Sequence, residues 1–250
     1  MKSCQLSVVS CQPGLEGNKP DPAQISMAFR ILALGLLALS CDIVDREQAD
    51  YLMWENEGTR WAFTVTEGTF PRDTFYVTRI SAANTVFGSE SADVCLDWEG
   101  RREYFTLYGD RVDIMTDFSI YPAGQAIPLE YRFTLFMRYP PVLGNTWDDT
   151  SWGRAIYQGD TFNYYHAVQG SVDSLLTLSV PYQDNLENVY LVRVDEHLYC
   201  EGAESRLHKV YYLGPGVGIV KARLGPDTFR FADSSWVEDH MILELLDFQK

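Results

Sequence analysis

The stretch WAFTVT, residues 61–66, is the clearest indication of fold class in this 250-residue chain. Large apolar side chains occupy its first, third and fifth positions, and small or polar side chains occupy the positions between them. Successive side chains of a β-strand point to opposite faces of a sheet. A period of two therefore indicates a strand with one buried face.

The same pattern recurs along the chain, in runs rich in aromatic and β-branched residues that Gly, Pro, Asn and Asp separate. The further predicted strands are 75–79, 104–108, 131–139, 174–180, 189–194, 209–213, 218–224, 229–231 and 241–248. No window of twelve or more residues after Gly58 combines a helical period with caps. We expect one all-β, mostly antiparallel domain, built as a barrel, a half-barrel or a sandwich.

Two segments of this pattern leave alternatives open. The run MILELLDF at 241–248 fits a strand buried on both faces or a final helix, and we favour the strand. The segment YPAGQAIPL at 121–129 predicts a long connection, which could divide an N-terminal sheet from a C-terminal one.

The segment MAFRILALGLLALSC, residues 27–41, has a different character. Arg30 precedes an uncharged run at 31–40, which is far shorter than the roughly 20 residues that a membrane-spanning helix needs. A positive charge, a short apolar core and small residues before the break are typical of a secretory signal peptide. We therefore predict a signal peptide at 27–40.

The end of this segment, Ala38 to Cys41, resembles the lipobox of bacterial lipoproteins, although Leu is usual where this chain has Ala38. The resemblance implies cleavage before Cys41 and diacylation of its thiol. It places the protein in the bacterial cell envelope, on the periplasmic face of the inner or outer membrane or at the cell surface. Residues 1–26 are predicted to be an over-extended or disordered extension before a true start at Met27, residues 41–58 a tether, and residues 59–250 the β-rich domain.

Charge bears on the partners of this domain. The chain has a net charge of −15, and residues 1–40 carry three positive and two negative charges, which leaves −16 for 41–250. Such a surface repels nucleic acid and anionic headgroups, so we expect no nucleic-acid partner. Membrane attachment would come from acyl chains on Cys41, and stable anchoring needs at least two of them.

Two cysteines, Cys95 and Cys200, remain in strand-like segments once the preceding ones are set aside. In an exported protein they could form a disulfide closing a loop of about 105 residues, or they could be separate buried thiols.

Two further stretches, YPPVLGNTW at 139–147 and VYYLGPGVGIVK at 210–221, resemble paired signatures of a broad group of uncharacterised bacterial secreted and lipid-anchored proteins. Between them the group has a V-P-x-G segment, where this chain keeps Val180 and Pro181 but lacks the Gly. The resemblance implies an all-β, partly open barrel-like domain and no particular activity. From the residues themselves, 214–216 predicts a turn, Gly218 a close backbone approach or a bulge, and 144–146 a turn that delivers Trp147 into a core.

No catalytic signature is present. The four histidines lack metalloprotease spacing, and no G-x-S-x-G elbow occurs. We predict no catalytic residue, metal or cofactor. The acidic and histidine clusters at 195–197 and 238–240 could supply at most two ligands each to one side of a strand.

The best ligand-site candidates are Asp148 and Asp149 with Trp147 and Trp152. Acidic groups among exposed aromatic rings suit a sugar or calcium site, and a polar loop is the competing interpretation.

The sequence favours a non-enzymatic, membrane-anchored envelope lipoprotein that binds an apolar ligand or a protein partner. Its aromatic content of 14% could line an apolar cavity or simply fill a core. One alternative is a secreted hydrolase of polysaccharide or another envelope polymer, with carboxylates near Trp147 as its acid and base. The other is a structural assembly subunit.

Overall fold

The structure is a computed structural model that describes residues 50–52, 56–68, 73–83, 85–87, 90–120, 127–157, 160–201, 203–231, 234–238 and 240–250. The predicted extension, the predicted signal peptide and Cys41 lie outside the described residues.

Sixteen β-strands make up all of the regular structure in these ranges. They are β1 (Arg60–Glu67), β2 (Thr74–Ile80), β3 (Val86–Phe87), β4 (Glu90–Ser91), β5 (Val94–Trp98), β6 (Arg101–Tyr108), β7 (Arg111–Ile120), β8 (Ile127–Arg138), β9 (Thr146–Tyr157), β10 (Asp160–Val180), β11 (Gln183–Cys200), β12 (Ala203–Gly214), β13 (Gly218–Leu224), β14 (Asp227–Phe231), β15 (Ser234–Glu238) and β16 (Met241–Gln249). Within the described ranges, no helix is long and apolar enough to cross a membrane.

Fourteen of the strands form one antiparallel sheet that curls into a nearly closed barrel, which confirms the predicted fold class. The sheet order is β8, β7, β6, β5, β2, β1, β16, β13, β12, β11, β10, β9, and the hairpin of β14 and β15 branches from β12. Strands β3 and β4 form a separate small ladder. The strands before and after 121–129 belong to one sheet, so the division into two sheets that the sequence suggested is wrong. Strand β8 already begins at Ile127, and residues 121–126 of the predicted connection lie outside the described residues.

The first and last strands of the barrel pair with each other. Strand β1 lies between β2 and β16, with Arg60 opposite Gln249 at one end of the β1–β16 ladder. Leu243 and Leu245 of β16 are fully buried. The strand interpretation of the C-terminal run is confirmed.

A seam closes the barrel between β8 and β9, the two ends of the sheet order. These strands follow each other in the chain but share no ladder. Instead the Leu135 amide of β8 donates a hydrogen bond of 2.9 Å to Oδ2 of Asp149 in β9. The same oxygen lies 3.6 Å from the Arg111 guanidinium. A side chain thus stands in for a missing ladder bond at the seam.

Strand β1 buries the apolar side of its alternating pattern against neighbouring strands. The Phe63 ring stacks on Phe75 at 5.6 Å and on Trp98 at 6.3 Å. The Trp61 indole N–H donates to the Val217 carbonyl at 2.7 Å. This packing is what the opening stretch of sequence predicts.

Residues 50–52 are part of the domain, although the sequence assigned them to the tether. Tyr51 and Leu52 belong to the buried core, and the Gly216 amide donates to the Asp50 carbonyl at 2.7 Å. A Cβ on Gly218 would lie 2.9 Å from the Leu52 carbonyl oxygen, so the predicted close approach at Gly218 is confirmed. The predicted turn after Gly214 is confirmed as well, because β12 ends there and β13 begins at Gly218.

Candidate functional site

The four residues that the sequence singled out lie at the start of β9, which is a strand and not a polar loop. Trp147 is buried and Asp149 is partly buried, whereas Asp148 and Trp152 are exposed. The predicted delivery of Trp147 into a core is confirmed, and its indole lies directly on Gly170 of β10. Because neighbours on a strand face opposite ways, the structure does not bring the four together.

Trp152 belongs to a different group, on the outer face of three adjacent strands. The register places Trp152 of β9 opposite Tyr165 of β10, and Tyr165 opposite Tyr199 of β11. Trp152 and Tyr165 have ring centroids 4.5 Å apart, and the His197 ring meets Tyr165 edge-on at 5.8 Å. Trp152 is 75% exposed and Tyr199 is 46% exposed. We call Trp152, Tyr165 and Tyr199 the aromatic strip.

A polar groove continues from the aromatic strip on the same outer face. Tyr199 lies opposite Glu204 of β12, which in turn lies opposite Arg230 of β14. The groove has a volume of about 290 Å³, near the low end for ligand sites. We call it the arginine groove. The side chains that line it include Glu204, Arg206, Thr228, Arg230, Ser235 and Val237.

Glu204 is the anion inside this groove. It accepts a hydrogen bond of 2.9 Å from Arg206 Nε and lies 2.9 Å from His197 Nε2. The hydrogen bond from Arg206 lowers the pKa of Glu204, and His197 adds to the effect. Glu204 therefore stays ionised and balances part of the positive charge of Arg206.

The inner face of the same strands holds an ion pair. Lys209 Nζ of β12 lies 2.6 Å from Glu196 Oε1 of β11, and His166 Nε2 of β10 lies 3.8 Å from Glu196 Oε2. Burial raises the pKa of Glu196, but Lys209 and His166 outweigh that effect and lower the pKa to about 2. Burial lowers the pKa of Lys209, and Glu196 raises it above its usual value. Both partners are charged inside the barrel.

The alternation of β11 divides the acidic and histidine cluster at 195–197 between the two faces. Glu196 points inward, whereas Asp195 lies 2.7 Å from His208 and His197 meets Glu204 on the outer face. At the other cluster, His240 Nε2 lies 2.9 Å from Glu67. Among the described residues, no three His, Cys, Asp or Glu side chains are grouped so that they could hold a metal ion.

Cys95 and Cys200 are free, buried thiols. They lie on β5 and β11, which five other strands separate in the sheet order. Burial raises the pKa of both thiols. Of the two arrangements that the sequence left open, a disulfide or two separate buried thiols, the structure has the separate thiols.

The barrel interior also contains an apolar cavity beside β1. Its lining includes Leu52, Trp61, Phe63, Trp98 and Ile219. The cavity has a volume of about 10 Å³, close to the minimum for a single water molecule. The aromatic side chains of this region fill a core and leave no space for a lipid chain there.

Comparisons with known proteins give no family or relative for this fold and surface. No protein-family model, no curated protein and no solved structure matches the chain.

Sequence reasoning identified Trp152 but missed its partners Tyr165 and Tyr199. The register between β9, β10 and β11 sets this grouping, and no local motif contains it. The alternation of strand 189–194, extended to Tyr199, would have placed Tyr199 and His197 on the face opposite Glu196. This alternation gives the face of each side chain on β11, but it does not show which strands are the neighbours of β11.

Proposed function

We propose that this protein is a non-enzymatic binding module of the bacterial cell envelope, held to a membrane by acyl chains on Cys41. It binds its partner on the aromatic strip. The observation that carries the proposal is the exposure of this cross-strand group of aromatic rings.

Exposed aromatic rings in a contiguous group are uncommon on a surface that has no partner. Trp and Tyr supply large contact areas at a small cost in side-chain entropy, and they dominate the binding energy of many interfaces. In the aromatic strip, cross-strand pairing holds Trp152 against Tyr165 before any partner arrives. Such preorganisation reduces the entropy lost on binding.

The outer face supports a binding role better than the interior does. The apolar cavity beside β1 has room for about one water molecule, which argues against an apolar ligand in that cavity. Asp148 and Asp149 point to opposite faces of β9, which argues against them as an acid and base pair. No feature of the described residues favours a hydrolase over a binding module.

Binding to envelope material tests the role of the aromatic strip. Full-length protein made without acylation is mixed with purified bacterial envelopes, that is, membranes with attached cell wall, and then sedimented. We expect Trp152→Ala to reduce the bound fraction at least tenfold. Tyr108→Ala is the matched control, because Tyr108 is a 79% exposed aromatic residue on β6, outside the strip. Equal binding by wild type and Trp152→Ala would contradict the proposal.

A separate measurement tests the anchor. Intact-mass analysis of the protein exported by a bacterial host is expected to show acyl mass on the wild type and none on Cys41→Ala. The Cys41→Ala variant should also leave the membrane fraction. A wild type without acyl mass, or a variant that stays membrane-bound to the same extent, would rule out the lipid anchor and leave the aromatic strip unaffected.

A further inference from the structure

We infer that the partner is an acidic polysaccharide, with sugar rings on the aromatic strip and its anionic groups in the arginine groove. This inference rests on the proposed function, because it names the class of ligand that the same outer face would bind.

The aromatic strip and the arginine groove form one continuous surface. Residues Trp152, Tyr165, Tyr199, Glu204, Arg230 and Ser235 follow one another in register across β9, β10, β11, β12, β14 and β15. Neighbouring strands are about 4.8 Å apart, so five steps span about 24 Å. A ligand that contacts both regions must be an extended chain running across the strands.

Charge indicates an anionic ligand. The chain has a net charge of −15 and repels polyanions over most of its surface. The groove nevertheless contains two guanidinium groups, those of Arg206 and Arg230. Arg206 shares its charge with Glu204, whereas no described carboxylate forms an ion pair with Arg230. A guanidinium binds a carboxylate or sulfate through two parallel hydrogen bonds.

The aromatic strip suits a polymer of sugar rings better than a peptide. A peptide that binds a sheet most often adds a strand at an edge. Strands β10 and β11, which carry Tyr165 and Tyr199, are paired on both sides and present no edge. With Trp152 of β9, they offer one aromatic ring per strand in register, and the rings of Trp152 and Tyr199 are exposed enough for the apolar faces of successive sugar rings to pack against them.

Calorimetric titration of the full-length chain with a hexamer of galacturonic acid tests the inference. The second ligand is the same hexamer with its carboxyl groups reduced to alcohols, which keeps the rings and removes the charge. We expect the reduced hexamer to bind at least tenfold more weakly. Arg230→Gln should weaken binding of the acidic hexamer at least fivefold, while Arg223→Gln, which changes an exposed arginine of β13, should not.

The outcomes separate the two proposals. Suppose that Trp152→Ala abolishes binding, but the reduced hexamer binds as tightly as the acidic one and Arg230→Gln binds as tightly as the wild type. The ligand is then not recognised by its acidic groups, and the aromatic strip remains the binding surface. If a hexamer of glutamic acid binds as tightly as the uronate, the partner is an acidic peptide and the inference is overturned. If neither hexamer binds any variant or the wild type, a polysaccharide partner is excluded. Thermal unfolding of each variant shows whether a loss of binding reflects a loss of fold.

Discussion

The two faces of β9, β10 and β11 differ sharply although they alternate along the same strands. The inner face carries buried groups that contact one another, among them His166, Glu196 and the Trp147 indole on Gly170. The outer face carries Trp152 and Tyr199, whose rings are largely open to solvent. Adjacent residues such as Glu196 and His197 thus belong to different surfaces with different physical constraints.

The two faces therefore have different roles: the inner face stabilises the fold, and the outer face is available for binding. Inner side chains have lost their water, so removing one of them leaves a cavity or an unpaired charge. Outer side chains keep their water, so removing one of them costs the fold little. We expect changes on the inner face to lower the free energy of unfolding and changes on the aromatic strip to affect binding alone.

The largest expected effect follows from Lys209→Met. The variant leaves the buried Glu196 carboxylate without the ammonium that lies 2.6 Å away. Removing one partner of a buried ion pair costs about 3 to 5 kcal/mol, so the midpoint of urea unfolding should fall steeply. Arg193→Met on the outer face is the control, because Arg193 and Asp173 lie 3.1 Å apart but their side chains are 53% and 32% exposed. Equal losses in both variants would remove the distinction between the faces.

The second effect is a dependence of stability on pH. The pKa of Glu196 is about 2 in the folded protein, below its ordinary value of 4.5. Because the folded pKa is depressed, the stabilisation is fully present above about pH 4.5 and is lost as the pH falls toward 2. The loss amounts to up to about 3 kcal/mol. Unfolding free energies measured between pH 7 and pH 2.5 should fall more in the wild type than in Glu196→Gln, and parallel curves would contradict the assignment.

A third, smaller effect is expected from Gly170→Ala. A Cβ at this position would lie 2.1 Å from ring carbons of Trp147, so the indole must move. Overpacking of this kind costs about 1 to 3 kcal/mol, which thermal unfolding would detect. Gln169→Ala, which changes the exposed neighbour on the outer face of β10, should leave the melting temperature nearly unchanged.

The smallest effect on the fold belongs to the aromatic strip. Trp152→Ala should change the free energy of unfolding by about 0.5 kcal/mol or less, since the side chain is 75% exposed. The tryptophan fluorescence of this variant should also become harder to quench with acrylamide, because Trp61 and Trp147 are buried. A decrease of several kcal/mol in the free energy of unfolding would show that the Trp152 ring stabilises the fold, and it would contradict the difference between the two faces.

The sequence predicted the fold class because its signal is local. Alternation within a run such as 61–66 reports one buried face, and ten predicted strands without a helix leave little choice of fold class. Strand β9 was harder to predict. Its outer side chains Asp148 and Thr150 are polar, and the segment therefore suggested a loop.

The candidate site was less predictable because it depends on register. Trp152, Tyr165 and Tyr199 meet only through the β9–β10 and β10–β11 ladders, and the pairing of Glu196 with Lys209 depends on the β11–β12 ladder. Alternation shows which side of its own strand a residue occupies, but the neighbouring strand and its alignment are set by contacts distant in sequence. Residues 148, 149 and 152 are close in sequence, but 149 lies on the opposite face of β9 from 148 and 152, so they do not form a cluster.

The pairing of β1 with β16 also constrains how the domain folds. Strand β1 begins at Arg60, and its partner β16 ends at Gln249, so the middle of the sheet joins residues from the two ends of the domain. During synthesis, β1 has only β2 beside it until β16 has been made. The barrel therefore cannot complete its sheet before residues 241–249 have been synthesised. Long-range pairing of this kind slows folding, and a chain truncated before Met241 would leave one side of β1 unpaired.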